Sequence, residues 1–171
     1  ALLCGQIGRP GAGLHPLRGQ NNVQGASDAG LIPMMYPDYK QVTNEETRGK
    51  FEAYWETDLN PETGLTVVEI VQAILADEIS GMYVMGENPA MSDPDSNHTR
   101  EALAKLEHLV VQDIFLTETA NYADVILPAS AWPEKDGTVT NTDRRVQLGR
   151  KALEMPGEAR QDWAIIQEIA N

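Results

Sequence analysis

The sequence predicts an α/β fold, a parallel sheet flanked by helices, and three observations carry that prediction. Short apolar runs recur at Met82 to Met85, Leu109 to Val111 and Val125 to Leu127. Stretches of helical spacing precede and separate them, the alternation that a parallel sheet with helices on its faces requires. Each run breaks into a polar or Gly/Pro-rich turn where a strand would end, and in open α/β sheets that edge binds ligands. The first turn offers Gly86, Glu87 and Asn88, and the second Gln112 and Asp113 with Thr117 and Thr119 beyond. The third offers Pro128, Ser130 and, slightly later, Lys135.

Taken in order, Ala1 to Ile7 reads as the end of a helix closed at Gly8, with Pro10 preventing continuation. Cys4, the only cysteine, reads as a small buried hydrophobe near that helix end. One thiol makes neither an internal disulfide nor a cysteine-rich cluster site. Gly11, Gly13, Pro16 and Gly19 then punctuate an irregular segment that carries His15 and Arg18. From Gly19 to Gly30 small and amide side chains dominate, so this stretch builds no core alone and has to pack closely against something else. Leu31 to Val42, with Pro33 and Pro37 among Met34, Met35, Tyr36 and Tyr39, reads as an extended loop. Thr43-x-x-Glu46 is a capping-box pattern opening a helix through Phe51, Tyr54 and Trp55. Thr66-x-x-Glu69 repeats it ahead of Val67, Val68, Val71, Ile74, Leu75 and Ile79 at helical spacing. Gly81 ends that second helix. Further helices are predicted from about Thr99 to Leu106 and, shorter, near Thr117 to Tyr122, while Thr138 to Thr140 and Val146 to Leu148 read as short strands or extended loops. Asp162 opens a last helix through Trp163, Ile165, Ile166 and Ile169, where the ordinary role of its carboxylate is an N-terminal cap. By content the chain divides into an irregular segment, residues 1–42, and an α/β unit, residues 43–171.

A length of 171 residues is one domain or slightly more, enough for a single sizeable core. The chain starts without Met and stops inside an amphipathic pattern, as a piece of a longer polypeptide would. Its 26 Asp and Glu against 13 Lys and Arg give a net charge of −13, which opposes nucleic-acid and anionic-membrane binding. No apolar run approaches the roughly 18 residues of a membrane helix, and nothing resembles a signal peptide. The expectation is a soluble piece in the cytoplasm, with the periplasm as the alternative because a targeting segment would lie upstream.

Several kinds of chemistry lack their signatures. Gly11-Ala-Gly13 follows a helix end and leads into Pro16, so the Gly-x-Gly-x-x-Gly turn of a nicotinamide dinucleotide site is missing. None of His15, His98 and His108 has a nucleophile context, and no metal-ligand spacing is present. His98 and His108 stand in charged helical surroundings that keep them solvated. What resists an ordinary reading is Arg18 with its Gly, Gln and Asn neighbours, together with the polar groups at the strand ends. Singly, each is an ordinary loop residue. Residue physics alone reaches a ligand-binding α/β domain.

The segments Gly8-Arg-Pro-Gly-Ala-Gly, Pro16-Leu-Arg-Gly-Gln-Asn-Asn-Val-Gln-Gly, Met85-Gly-Glu-Asn-Pro and Gln112-Asp-Ile-Phe-Leu-Thr-Glu-Thr-Ala carry the argument further. With Ala123-Asp-Val-Ile-Leu-Pro, Trp132-Pro-Glu-Lys-Asp-Gly and Thr142-Asp-Arg-Arg-Val-Gln, they resemble the molybdopterin oxidoreductase superfamily, in order and over almost the entire chain. Within it the sequence is most similar to the catalytic alpha subunits of formate dehydrogenases. The resemblance implies an interior domain with a Rossmann-like parallel sheet flanked by helices. It implies oxidation of formate to carbon dioxide at a molybdenum or tungsten ion held by two molybdopterin guanine dinucleotides, one of them at the strand ends of this domain. Electrons would pass to an iron–sulfur cluster outside this chain. The implied cofactor contacts are Gly86, Asn88 and Ser92 after the first strand, Gln112 and Asp113 after the second, then Lys135 and Asp162. Arg18 matches the substrate-side arginine, and Gln20 lies near the pterin. These residue types suit the roles. Guanine presents an N–H and an amino group side by side, which one carboxylate, Asp162 or Asp113, can accept as a pair. Lys135 can neutralise pyrophosphate charge, Gly86 lets backbone approach the ligand, and the planar fork of Arg18 can orient a small carboxylate.

The departures from the family pattern matter equally. The family's metal-ligating Cys or selenocysteine precedes a His upstream of the matched region, the cluster cysteines lie further upstream, and Cys4 followed by Gly5 fits neither. The C-terminal domain that in the family carries the remaining pterin contacts is expected outside the matched segments. On this reading the chain holds no metal ligand and is inactive alone. Its partners are the remaining domains of its polypeptide, formate and electron-transfer subunits, with no nucleic acid and no membrane insertion. The alternatives are another oxidoreductase of the superfamily, a nucleotide-binding module, or a scaffold without molybdenum as in the large subunit of bacterial NADH:quinone oxidoreductase. The intact Arg18-Gly-Gln-Asn-Asn argues against the scaffold.

Overall fold

The first 22 residues of the computed structural model, which describes residues 1–171, contain turns but no helix. The helix expected over Ala1 to Ile7 is interrupted because Gly5 takes a φ of 61° and Gly8 one of 77°, in the left-handed region. Cys4 is correspondingly exposed, not buried. A short helix the sequence did not announce, α1 (Val23–Asp28), follows. Local side-chain bonds support it, with Ser27 Oγ donating to the Val23 carbonyl at 2.9 Å. Behind it, a Cβ on Gly30 would stand 2.7 Å from the Pro37 nitrogen, the close packing anticipated for this small-residue stretch.

Where an extended loop was expected, β1 (Met35–Tyr36) and β2 (Lys40–Gln41) pair antiparallel about a 3-10 turn at Pro37–Tyr39. Helix α2 (Glu45–Trp55) is capped by Asn44, not Thr43, its side chain accepting from the Thr47 N–H at 2.9 Å. Tyr36, Phe51 and Trp55 bring their rings together, with centroids 4.7 Å apart for the first two and 4.8 Å for the last two. In α3 (Val67–Leu75) the expected Thr66 and Glu69 pairing forms, the carboxylate accepting from the Thr66 backbone N–H at 2.7 Å and its hydroxyl at 2.6 Å. The helix stops four residues before Ile79, and Asp77 beyond it takes a φ of 62°.

The alternation then runs as anticipated: β3 (Gly81–Met85), a single unforeseen helical turn α4 (Pro89–Ser92), α5 (Ser96–Lys105), β4 (His108–Asp113) and β5 (Val125–Pro128). Helix α5 starts ahead of Thr99 because Asp95 caps it, accepting from the His98 N–H at 3.4 Å. The predicted helix near Thr117 is a 3-10 turn over Thr119–Tyr122. Strands β6 (Gly137–Thr140) and β7 (Val146–Gly149) pair with each other, and α6 (Asp162–Ala170) ends the chain. His98 and His108 are exposed, as expected.

The expected parallel sheet has the order β3-β4-β5. In it Met82 pairs with Leu109 and Val84 with Val111, so one face carries the apolar side chains. Val84, Leu109 and Val111 are buried there with Ala90, Leu103 and Ala120. On the other face Tyr83 stands beside Val110, and Met85 beside Gln112. The chain folds as two compact units, residues 1–63 with 138–148, and residues 64–137 with 149–171. The first unit has the aromatic group of Tyr36, Phe51 and Trp55; the second has the sheet. No helix is long and apolar enough to cross a membrane.

Candidate functional site

The C-terminal edge of the sheet gathers four side chains into one hydrogen-bonded chain. Gln112, with no exposed surface, donates from Nε2 to Asp162 Oδ1 at 2.9 Å. Its Oε1 accepts from the Tyr83 hydroxyl. Asp162 Oδ2 meets the Lys135 ammonium, which also donates to the Ser130 carbonyl at 3.0 Å. Lys135 and Asp162 are each 29% exposed, so water reaches the pair and a ligand can as well. Asp162 therefore is not the cap of α6. Gln161 holds the N-cap position, and the Asp162 carboxylate reaches back to the sheet.

The turns around this cluster bring backbone and hydroxyl groups to the same edge. Gly86 has a φ of 65°, donates its N–H to the Gln112 carbonyl at 2.9 Å, and has nothing within 4 Å of where a Cβ would stand. Backbone there is open to an approaching group. Ser130, 3% exposed, buries a hydroxyl with no protein partner. Asp113 turns inward on its own loop, Oδ1 accepting from the Ile114 N–H at 2.6 Å and the Phe115 N–H at 3.3 Å.

Asn88 and Ser92 belong to a clasp between the turn after β3 and the 3-10 turn before β5. Asn88 Oδ1 accepts from the Thr119 hydroxyl at 2.7 Å and its N–H at 3.1 Å, and the same hydroxyl accepts from the Ala90 N–H at 3.1 Å. Ser92 Oγ donates to the Asn88 carbonyl at 3.0 Å. Asn88 Nδ2 donates to Glu118 Oε2 at 2.7 Å, and this bond, with a backbone bond within Glu118, holds the Glu118 carboxyl below its ordinary pKa. That contact contributes above the ordinary carboxylate pKa and is lost as pH falls through the lowered value. Thr119 is fully buried, so Thr119→Val, which keeps the shape and removes the hydroxyl, strands the Ala90 N–H. The expected cost is about 1–3 kcal/mol, read as roughly 5- to 150-fold faster amide exchange at Ala90.

Arg18 and Gln20 lie in the other compact unit, along one cleft with His15, Asn21 and Thr140. Arg18 Nη2 donates to Gln24 Oε1 at 3.3 Å, and Gln24 is held by Asp28 Oδ1 and the Tyr39 hydroxyl, both at 2.9 Å. A second cleft of about 630 Å³ opens among Arg18, Gln24, Asp28, Asp38, Tyr39 and Arg144. Thus Asp162 meets both Gln112 and Lys135 directly, Gly86 and Asp113 flank them, Asn88 and Ser92 build the adjoining turn, and Arg18 with Gln20 forms a separate group. Tyr83 was not singled out from the sequence. Its signal was the strand alternation, which places it on the Gln112 face once the register is known.

The whole chain, residues 1–171, matches the molybdopterin oxidoreductase family. It is 56% identical over 170 residues to the F420-dependent formate dehydrogenase subunit alpha of Methanocaldococcus jannaschii, covering 99% of this chain and 25% of that protein. The F420-dependent formate dehydrogenase 1 subunit alpha of Methanococcus maripaludis is 50% identical over 171 residues, with the same 99% and 25% coverage. The chain thus spans about a quarter of the length of these curated relatives. Among solved structures, acetylene hydratase from Pelobacter acetylenicus superposes with a TM-score of 0.56 over 60% of this chain and 15% of its own, at 22% identity, a likeness of fold. With the parallel sheet and its polar C-terminal edge, these matches establish that the chain belongs to the molybdopterin oxidoreductase family, whose members work with a molybdopterin cofactor carrying molybdenum or tungsten.

Proposed function

We propose that this chain is an interior part of a formate dehydrogenase, holding one molybdopterin guanine dinucleotide at its strand ends and turning Arg18 to formate. The observation that carries the reading is the cluster of Gln112, Asp162 and Lys135 beside the unpartnered, buried Ser130 hydroxyl. The donor set fits such a group. Each Asp162 oxygen has one protein donor and a further lone pair, enough to accept the paired N–H groups of a guanine edge. Asp162 suits this role better than Asp113, whose Oδ1 is committed to its own loop. Lys135 supplies positive charge for a phosphate, Ser130 and the Gly86 turn supply a hydroxyl and open backbone, and Gln20 is assigned to the pterin. Asn88 and Ser92 brace the adjoining turn.

When bound, the metal and its pterins supply the two-electron chemistry that turns formate into carbon dioxide, a proton and two electrons. Arg18 binds the formate carboxylate with two parallel N–H groups and fixes its orientation, with Gln24 steadying the guanidinium. An iron–sulfur cluster and a metal-ligating Cys or selenocysteine belong to other parts of the polypeptide, whose remaining domains and electron-transfer subunits complete the enzyme. This chain alone is expected to be inactive with formate and any dye acceptor.

The test is Asp162→Asn in the full-length protein. Asparagine places an amide donor against the donors of the base and removes the charge that meets Lys135. Guanine nucleotide released per polypeptide on denaturation is expected to fall about tenfold or more, the scale of losing a charge-assisted hydrogen bond. A full complement of nucleotide would take Asp162 out of the cofactor site.

A further inference from the structure

Tyr83 lies on the sheet face opposite the apolar core, and the proposed function leaves its hydroxyl without a role. Its neighbour in register is Val110, so Gln112, two residues further, is its diagonal neighbour on the same face. The phenol donates to Gln112 Oε1, and the other end of that amide donates to Asp162 Oδ1 at 2.9 Å. Gln112 has no exposed surface, so water cannot replace a lost partner there.

Two donors orient the Asp162 carboxylate: the Lys135 ammonium on Oδ2 and the Gln112 amide on Oδ1. Lysine is a flexible point charge and fixes distance better than plane. The Gln112 amide is planar and buried, so it sets the plane, provided its own orientation is held. Asp162 holds one end and Tyr83 the other. Without the phenol, Oε1 becomes a buried acceptor with no donor, and the amide relieves that cost by rotating away from Asp162.

We infer that Tyr83 is a positioning residue of the nucleotide site: acting through Gln112, it holds the Asp162 carboxylate in the plane that accepts the paired N–H groups of a guanine edge. The inference rests on reading the strand-end cluster of Gln112, Lys135 and Asp162 as the dinucleotide site. Partial burial, and secondarily the negative charge of Asp162, raise the Tyr83 pKa, so the phenol keeps its proton, and its role as donor, at neutral pH. Tyr83 is 41% exposed, which makes Tyr83→Phe a small change for the fold.

The experiment is a double-mutant cycle in the full-length protein, loaded at limiting cofactor, with guanine nucleotide per polypeptide as the readout. Tyr83→Phe is expected to lower nucleotide content about tenfold in the native background, the scale of one stranded buried acceptor, and by less than about twofold when Gln112→Met is already present. Equal losses in both backgrounds would mean that Tyr83 acts by packing, or that its replacement damages the fold, and would overturn the inference. Full content in Tyr83→Phe alongside a loss in Asp162→Asn would overturn it while leaving the cofactor site standing. Full content in both Asp162→Asn and Lys135→Gln would remove the site and the inference with it.

Discussion

Arg18→Lys in the full-length protein is expected to lower kcat/KM for formate by about tenfold to a thousandfold. On the role proposed for Arg18, the change keeps the positive charge that attracts formate and removes the planar fork that would set its orientation. Arg18 spends one nitrogen, Nη2, on Gln24 at 3.3 Å, leaving the rest of the guanidinium for a ligand. A lysine ammonium would have to choose between Gln24 and formate, and could not grip both carboxylate oxygens in one plane. Guanine nucleotide content should match the unaltered protein, because Arg18 belongs to residues 1–63 and none of the Gln112, Lys135 and Asp162 contacts involves it. Steady-state formate oxidation with a dye acceptor, normalised to bound cofactor, checks this. An unchanged kcat/KM would remove Arg18 from the substrate site.

Leu109→Ala is expected to loosen the sheet by about 2–5 kcal/mol, as large-to-small changes in a packed core do. Leu109 is 1% exposed and packs in the cluster of Val84, Leu103 and Val111. It pairs with Met82 across the β3 and β4 ladder, so a void there weakens both strands. Amides of Val84 and Val111 in the full-length protein should exchange roughly 30- to 4,000-fold faster, each tenfold corresponding to about 1.4 kcal/mol. Because β4 ends in Gln112 and Asp113, cofactor content should fall with it. A change of less than about threefold in exchange would mean that Leu109 does not support the core of this unit.

Much of the central fold was legible because its signals are local. The three apolar runs became β3, β4 and β5, and Thr66 with Glu69 capped α3, since strand period and capping geometry are both contained within a few residues. The start of α2 shifted by one residue because Thr43 and Asn44 are both good caps, and only the backbone path decides which side chain reaches the third N–H. Leu2, Leu3 and Ile7 satisfy a helical pattern, yet no helix forms there because Gly5 and Gly8 turn left-handed. Composition does not state a glycine's φ. Helix α1 is silent in the sequence for the opposite reason: a six-residue helix with a single bulky apolar residue, Val23, has no amphipathic face.

The sequence by itself determined the family, through motifs spread over the whole chain, and nominated Gln112, Lys135 and Asp162 one at a time. Only the tertiary structure decided that they touch. Gln112 and Asp162 are 50 positions apart and Lys135 and Asp162 are 27 apart, so no local window contains either contact. Each requires α6 to begin beside the sheet edge, which diverts Asp162 from capping that helix. Tyr83 depends on tertiary structure more completely still. A register slip of one residue between β3 and β4 would turn it to the opposite face from Gln112, because side chains alternate with a period of two. Register is chosen by the pairing of Met82 with Leu109 and Val84 with Val111 in the buried core, so the apolar face of the sheet decides which polar side chains meet on the other.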